Sequence, residues 1–221
     1  MKPTSGYTKH FLVVDDHEAV LAGTVPALKA KYPDAEIMTA QERQNAQNMV
    51  EQYSPDVVLL DLNIPDKPNS DANSEVGIQF LTTLIGSKQA PNIMVLSTNV
   101  QPLVRLKPLI NKYEGGFAAM DKSMSIKEML RLVDLALRGS IYLPPSVRSR
   151  PEFHPKWIQL LKLKFESGYT DKAIAKRMGV SDRTVRNYWV RIQEAFGIHD
   201  EVDKDIQSQI RSEARRLGLI D

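Results

Sequence analysis

Short apolar runs punctuate the first 120 residues: FLVV (11–14), AEIM (35–38), DVVLL (56–60), NIMVL (92–96) and GFAAM (116–120). Each is about the length of one strand. Between and after them lie stretches with helical character, HEAVLAGTVPALKAKY (17–32), ERQNAQNMVEQY (42–53), GIQFLTTLI (77–85), PLVRLKPLINKY (102–113) and SIKEMLRLVDLAL (125–137). In the last of these, Ile126, Met129, Leu130, Val133 and Leu137 recur at helical spacing and predict one buried face. Runs that are apolar throughout, rather than alternating, belong to parallel strands covered on both sides. Five such strand–helix units predict an α/β doubly wound five-stranded parallel sheet. Pro108 falls inside the fourth predicted helix and should kink or end it.

The pattern changes at LRGSIYLPPSVRSRPEF (137–153), rich in proline and serine, which reads as a junction. The segment 155–198 then reads as helix, turn, helix, turn, helix. Trp157, Leu160, Leu161, Lys164 and Phe165 form the stripe of the first helix, and Thr170 and Ser181 are set as caps of the next two. Val185, Trp189, Ile192 and Phe196 mark the inner face of the third helix, leaving Arg183, Arg186, Asn187, Val190 and Arg191 outside. The tail, 203–220, predicts a fourth helix capped by Asp203 and ended at Gly218, with Ile206, Ile210, Ala214 and Leu217 in one stripe. The chain thus divides into a domain at 1–139, a linker at 140–152 and an all-α domain at 153–221.

Charge sharpens this division. Residues 1–137 carry 13 basic and 16 acidic side chains, residues 138–150 three arginines and no acid, and residues 151–199 nine basic against five acidic. A polyanion would therefore bind on the C-terminal side. No apolar run approaches the roughly 20 residues of a membrane span, the polar opening MKPTSGYTKH is not that of a leader, and cysteine is absent. The expectation is a cytoplasmic protein without disulfides, thiolate metal sites or a membrane partner.

Four of the five predicted strands end in groups suited to phosphate chemistry: Asp15 and Asp16, Asp61, Ser97 and Thr98, and Asp121 and Lys122. An Asp after a strand is ordinarily a helix cap, a Ser a turn residue and a Lys a solvated charge. On a doubly wound sheet, however, these ends share one edge, where sites form. Carboxylates converging there repel one another and call for a cation, and hard oxygen donors without His or Cys select Mg2+ over zinc. A metal held by Asp15 and Asp16 would neutralise a phosphoryl group arriving on Asp61, the nucleophile, with Lys122 and the Ser97 hydroxyl binding its oxygens.

The motifs VVDDH (13–17), LLDLNIP (59–65), VLS (95–97) and DKS (121–123) make residues 10–143 resemble the flavodoxin-like receiver domain of a two-component response regulator. The resemblance implies Asp61 as phosphoacceptor for a sensor histidine kinase. It implies Asp15, Asp16, Asp61 and the Asn63 main-chain carbonyl as Mg2+ ligands, Ser97 as the switch hydroxyl and Lys122 as the phosphate partner. Two departures stand out. The loop 66–76 is much longer than a receiver needs, a surface insertion or a partner contact. Ala119 occupies the position where receivers often carry an aromatic ring that turns inward with the switch hydroxyl, which predicts weak coupling of phosphorylation to output.

The segment 153–198 is similar to the helix-turn-helix DNA-binding domain of NarL/LuxR-type regulators. By that resemblance Arg183, Arg186, Asn187 and Val190 lie at base edges of promoter double-stranded DNA. Lys172, Lys176, Thr184 and Arg191 are then phosphate contacts. Trp157 stands where the family usually has a glutamate, and Val190 where relatives often carry a basic residue. The tail helix either pairs two subunits, as in the family, or packs back on its own domain. The expected molecule is a transcriptional regulator, a homodimer when active, with RNA polymerase as a further partner. Two other classes stay open: a phosphorylation-independent adaptor, and a Mg2+-dependent phosphotransferase or phosphatase using Asp61. The latter lacks the second Asp that such enzymes place two residues on, since that position is Asn63.

Overall fold

The computed structural model describes residues 8–199 and 205–220. The chain divides into two compact units, one of Met1–Val100 and Leu109–Arg148, the other of Gln101–Pro108 and Ser149–Asp221.

In the first unit, the described residues form a parallel sheet of β1 (His10–Val14), β2 (Glu36–Ala40), β3 (Val57–Leu60), β4 (Asn92–Ser97), β5 (Phe117–Asp121) and β6 (Ile141–Tyr142), in the order β2-β1-β3-β4-β5-β6. The five expected strands are all present, and the two-residue β6 extends them, pairing Phe117 with Ile141 and Ala118 with Tyr142. The segment read as linker therefore contributes this strand and a short helix at Pro145–Arg148. Along the central strands alternate residues point to opposite faces. Phe11, Val13, Val57, Leu59, Met94, Leu96, Ala118 and Met120 share one core with Leu28 of α1 (Glu18–Lys31) and with Met129, Leu132, Val133 and Ala136 of α5 (Ile126–Leu137). Leu12, Val14, Val58, Leu60, Ile93, Val95, Phe117 and Ala119 are buried on the other face. That is why these strands lack a polar alternation.

The remaining helices of this unit are α2 (Arg43–Tyr53), α3 (Ser74–Ile85) and α4 (Lys107–Ile110), the last begun by two residues that cluster with the second unit. The helix expected at 102–113 is instead a 3-10 segment, Gln101–Leu106, followed by the single turn of α4. Pro108 stands in the first turn of α4, where a missing N–H leaves no bond unmade. The long loop before α3 is stapled rather than loose. Asn73 bridges Ile64 and caps α3 through its side chain, the Arg43 and Gln44 amides donate to the Pro65 and Asp66 carbonyls, and Arg43 Nε lies 2.5 Å from Asp66 Oδ1.

In the second unit, α7 (Pro155–Phe165), α8 (Asp171–Met178), α9 (Asp182–Phe196) and α10 (Ile206–Arg216) follow α6 (Pro145–Arg148) of the first. Thr170 and Ser181 cap α8 and α9 as expected, and Gly179 and Gly197 end them in the left-handed region. The cap of α10 is Asp205, and Asp203 lies outside the described residues. Ile158, not Trp157, joins Leu160 and Leu161 in the core. Spacing alone fits either stripe, because the two faces lie only about 100° apart on the helix. An unanticipated residue locks the bundle: Asp171 accepts from Lys164 Nζ at 2.9 Å and from the Trp189 indole at 3.1 Å. The tail stripe is used within the chain, α10 packing on α7 and α9 with Ile210 and Ala214 fully buried.

Gly77 shows how tightly the loop after β3 is held. A Cβ there would fall inside the Leu62 carbonyl, 2.5 Å from its carbon, and the obstacle is backbone that cannot swing aside. Gly77→Ala should therefore destabilise the first unit by about 1–3 kcal/mol. Urea unfolding followed by circular dichroism would measure it, and an unchanged midpoint would show that the loop yields.

Candidate functional site

The order β2-β1-β3 reverses the direction of the winding at β1, so the crevice between the ends of β1 and β3 is the switch point of the sheet. Val14 and Leu60 are paired in register, which places the following residues, Asp15 and Asp61, side by side. The Asp61 amide donates to the Val14 carbonyl at 2.9 Å and the Lys122 amide to the Ser97 carbonyl at 3.1 Å, so ladder bonding continues to the residues that carry the chemistry.

Asp15, Asp61 and Ser97 are 2%, 3% and 1% exposed. Ser97 Oγ donates to Asp61 Oδ1 at 2.7 Å, and the Asn63 amide donates to the same oxygen at 3.1 Å. Lys122 Nζ lies 2.5 Å from Asp61 Oδ2 and 2.7 Å from Asp15 Oδ2. The structure brings Ser97 to Asp61, while Thr98 is exposed. Burial pushes the Asp15 carboxyl above its ordinary range, opposed by the bonds from Lys122 and from the His17 amide. Burial also works against the Lys122 ammonium, but its two carboxylate partners outweigh it and raise its pKa.

The expectation of a cluster without histidine needs correcting. Ligand atoms of Asp15, Asp16, His17 and Asp61 lie within 4.8 Å of one another, with His17 Nδ1 2.7 Å from Asp16 Oδ1 and 3.3 Å from Asp15 Oδ1. His17 is the extended N-cap residue of α1, and this geometry turns its ring back over the two acids. Nothing in its spacing marks it, because its placement depends on how the helix begins. Three carboxylates against one ammonium leave two negative charges when His17 is neutral, which matches a divalent cation, and oxygens remain the dominant donors.

The second set of predicted residues lies on α8 and α9. Arg183, Arg186, Asn187, Val190 and Arg191 are all exposed, Val190 at 53%, while Val185, Trp189 and Ile192 are buried on the opposite face. Lys172 and Lys176 are exposed on α8. Thr184 is only half exposed, and its hydroxyl lies 2.9 Å from Ser181 Oγ at the cap. Trp157, released from the core, lines an open groove of about 720 Å³ with Asn187, Val190, Arg191, Glu194 and Ala195. The outer face of α9 can thus offer guanidinium and amide donors together with apolar surface.

The family model described as response regulator receiver domain matches residues 11–134. Over its length the chain is similar to the transcriptional regulatory protein DegU of Brevibacillus brevis, 22% identical with 89% of this chain and 91% of that protein covered. It is similar also to the glycerol metabolism activator of Pseudomonas putida, 24% identical with 86% and 90% covered. Among solved structures, RcsB from Salmonella enterica serovar Typhimurium, bound to promoter rprA in the presence of the phosphomimetic BeF3−, shares the fold. The TM-score is 0.57, with 19% identity and coverage of 93% of this chain and 99% of that one.

Lys122 is the cation paired with both buried carboxylates of the cluster. Lys122→Met would leave two buried carboxylates without their cation and should lower stability by about 3 kcal/mol. Adding Asp15→Asn should recover part of the loss by removing one of the repelling charges. Denaturant midpoints of the single and double variants test this, and a Lys122→Met protein as stable as the parent would show that the pair contributes nothing.

Proposed function

Because the chain belongs to the response regulator receiver domain family, we propose that it is a DNA-binding transcriptional response regulator, phosphorylated on Asp61 by a sensor histidine kinase. The observation that carries the proposal is Asp61 itself, buried at the switch point and held by Ser97 and Lys122, in one chain with a capped helix of outward arginines.

The chemistry follows from the contacts. A carboxylate oxygen of Asp61 attacks the phosphorus of the donor, forming a P–O bond as the bond to the leaving group breaks. Lys122, already on Asp61 Oδ2, needs only a short movement to pair with a phosphoryl oxygen. Ser97 Oγ, now donating to Oδ1, can turn to another. Asp15, Asp16, Asp61 and the Asn63 main-chain carbonyl would hold Mg2+, which supplies positive charge against the phosphoryl oxygens. Asn63 stands where a phosphohydrolase would need its second acid, which supports a regulator rather than an enzyme.

In the second unit Arg183, Arg186, Asn187 and Val190 would read base edges in the major groove of promoter DNA. Arginine pairs with guanine, Asn with adenine, and the Val190 side chain meets a thymine methyl. Lys172, Lys176, Thr184 and Arg191 would contact phosphates, although the Thr184 hydroxyl is already engaged by Ser181. The active form would be a cytoplasmic homodimer on two half-sites, able to contact RNA polymerase. A second reading, output without phosphorylation, has one observation in its favour: the methyl group of Ala119 is fully buried on β5 beside Val95 and offers no ring to follow Ser97.

Two measurements test the proposal. Incubation with acetyl phosphate and Mg2+ should add one base-labile phosphoryl group by mass, and Asp61→Asn should abolish it, since an amide is no nucleophile. Labelling that persists in the variant would place the acceptor elsewhere. On operator DNA, Arg186→Ala should cost about 1–3 kcal/mol per site and relax preference at one base pair. Lys176→Ala should weaken all sequences alike and flatten the salt dependence by about one unit per subunit. Unchanged affinity and base preference in Arg186→Ala would assign the reading to another element.

A further inference from the structure

The chain has two tryptophans, both in the C-terminal unit, and they are used in opposite ways. Trp189 is buried, and its indole donates to Asp171 at 3.1 Å. Trp157 is half-buried and stays outside the core that Ile158, Leu160 and Leu161 enter. Its indole N–H has no hydrogen-bond partner among the described residues. The ring lines one groove with Asn187, Val190, Arg191, Glu194 and Ala195 of α9. The side chains of Arg183, Arg186, Asn187 and Arg191 also make no hydrogen bond or ion pair among the described residues. By contrast, Lys164 is held by Asp171, Arg177 by the Tyr169 ring and Arg216 by Glu213. Unpaired donors beside an indole left out of the core mark a surface kept for something outside the chain.

We propose that Trp157 is a specificity-determining residue for DNA, forming with Val190 an apolar seat for the C5-methyl group of one thymine in each half-site. The inference rests on the DNA-binding reading above, and it adds a residue of α7 to the recognition surface of α9. Charge selects the ligand. Arg191 and Glu194 bring one charge of each sign to the groove, so it has no net positive charge with which to cradle a phosphate. A base edge is uncharged and can offer a methyl group to Val190 and Trp157. Position agrees with this. Arg183, Asn187, Val190 and Glu194 follow at i, i+4, i+7 and i+11, a single exposed stripe opposite the buried Val185, Trp189 and Ile192. Val190 therefore lies about one turn beyond Asn187 on the face that meets the major groove. Trp157 borders that stripe from the neighbouring helix. Cytosine presents an amino group and no methyl at the same place, so it leaves the seat empty and sets a donor against apolar surface.

The test uses the full-length chain and the duplexes it selects from a random-sequence pool, with and without acetyl phosphate and Mg2+. Each thymine of a selected duplex is then replaced singly by uracil, which removes only the methyl group. One position in each half-site should lose about fourfold in affinity, the worth of one buried methyl. Val190→Ala and Trp157→Ala should each bring that thymine-to-uracil ratio close to unity, and Trp157→Phe, which keeps an aromatic face, should retain it. Arg186→Ala should weaken both duplexes alike and leave the ratio unchanged. Because the ratio compares two duplexes on one protein sample, any loss of folded protein cancels from it. Selected duplexes without a sensitive thymine, or a ratio that survives Trp157→Ala, overturn the proposal and leave the groove to a protein partner. A pool from which no sequence is enriched overturns the DNA-binding reading itself, and the proposal with it.

Discussion

One ammonium held between two buried carboxylates organises the first unit. Lys122 bridges Asp15 and Asp61 at the end of the sheet, where neither acid could stay ionised alone without a large desolvation penalty. Such a cluster needs a scaffold that cannot relax. Two neighbouring, hydrogen-bonded parallel strands in register supply it, with every residue of Val57–Leu60 buried and Phe11–Val14 equally so. The rigid apolar strand and the acid at its tip are therefore one device. The strand fixes the carboxylate, and the unbalanced negative charge beside it suits a cation.

Most of this was legible in the sequence because a parallel sheet converts strand ends into neighbours. Asp15, Asp61, Ser97 and Lys122 each follow or end an apolar run, and alignment of the runs implies convergence of their ends. What the pattern could not carry depends on backbone detail. His17 joins the acids through the extended conformation of one N-cap residue. Strand β6 is two residues long, too short to show any period. Trp157 and Ile158 both fit a helical stripe, and only the packed bundle decides between them. The segment at 101–106 has helical spacing, yet adopts 3-10 geometry and clusters with residues far along the chain.

The C-terminal unit solves a different problem, presenting polar groups from a helix that must not tilt. Asp171 is central to it, because one carboxylate at the start of α8 holds both a lysine of α7 and the indole of α9. Phe165 packs against the same Trp189 ring in an edge contact, 5.9 Å between centroids. The inner face of α9 is thereby fixed by hydrogen bonding as well as by burial, and its outward arginines keep a defined rotation about the helix axis. The apolar Val190 and Trp157 beside them lower the charge density of that face relative to an all-basic helix.

At Ala119, where receivers often carry an aromatic ring, a fully buried methyl group stands beside Val95. Ser97 ends β4, Thr98 and Asn99 after it are exposed, and the next element is the 3-10 segment whose Arg105 donates to the Gly218 carbonyl.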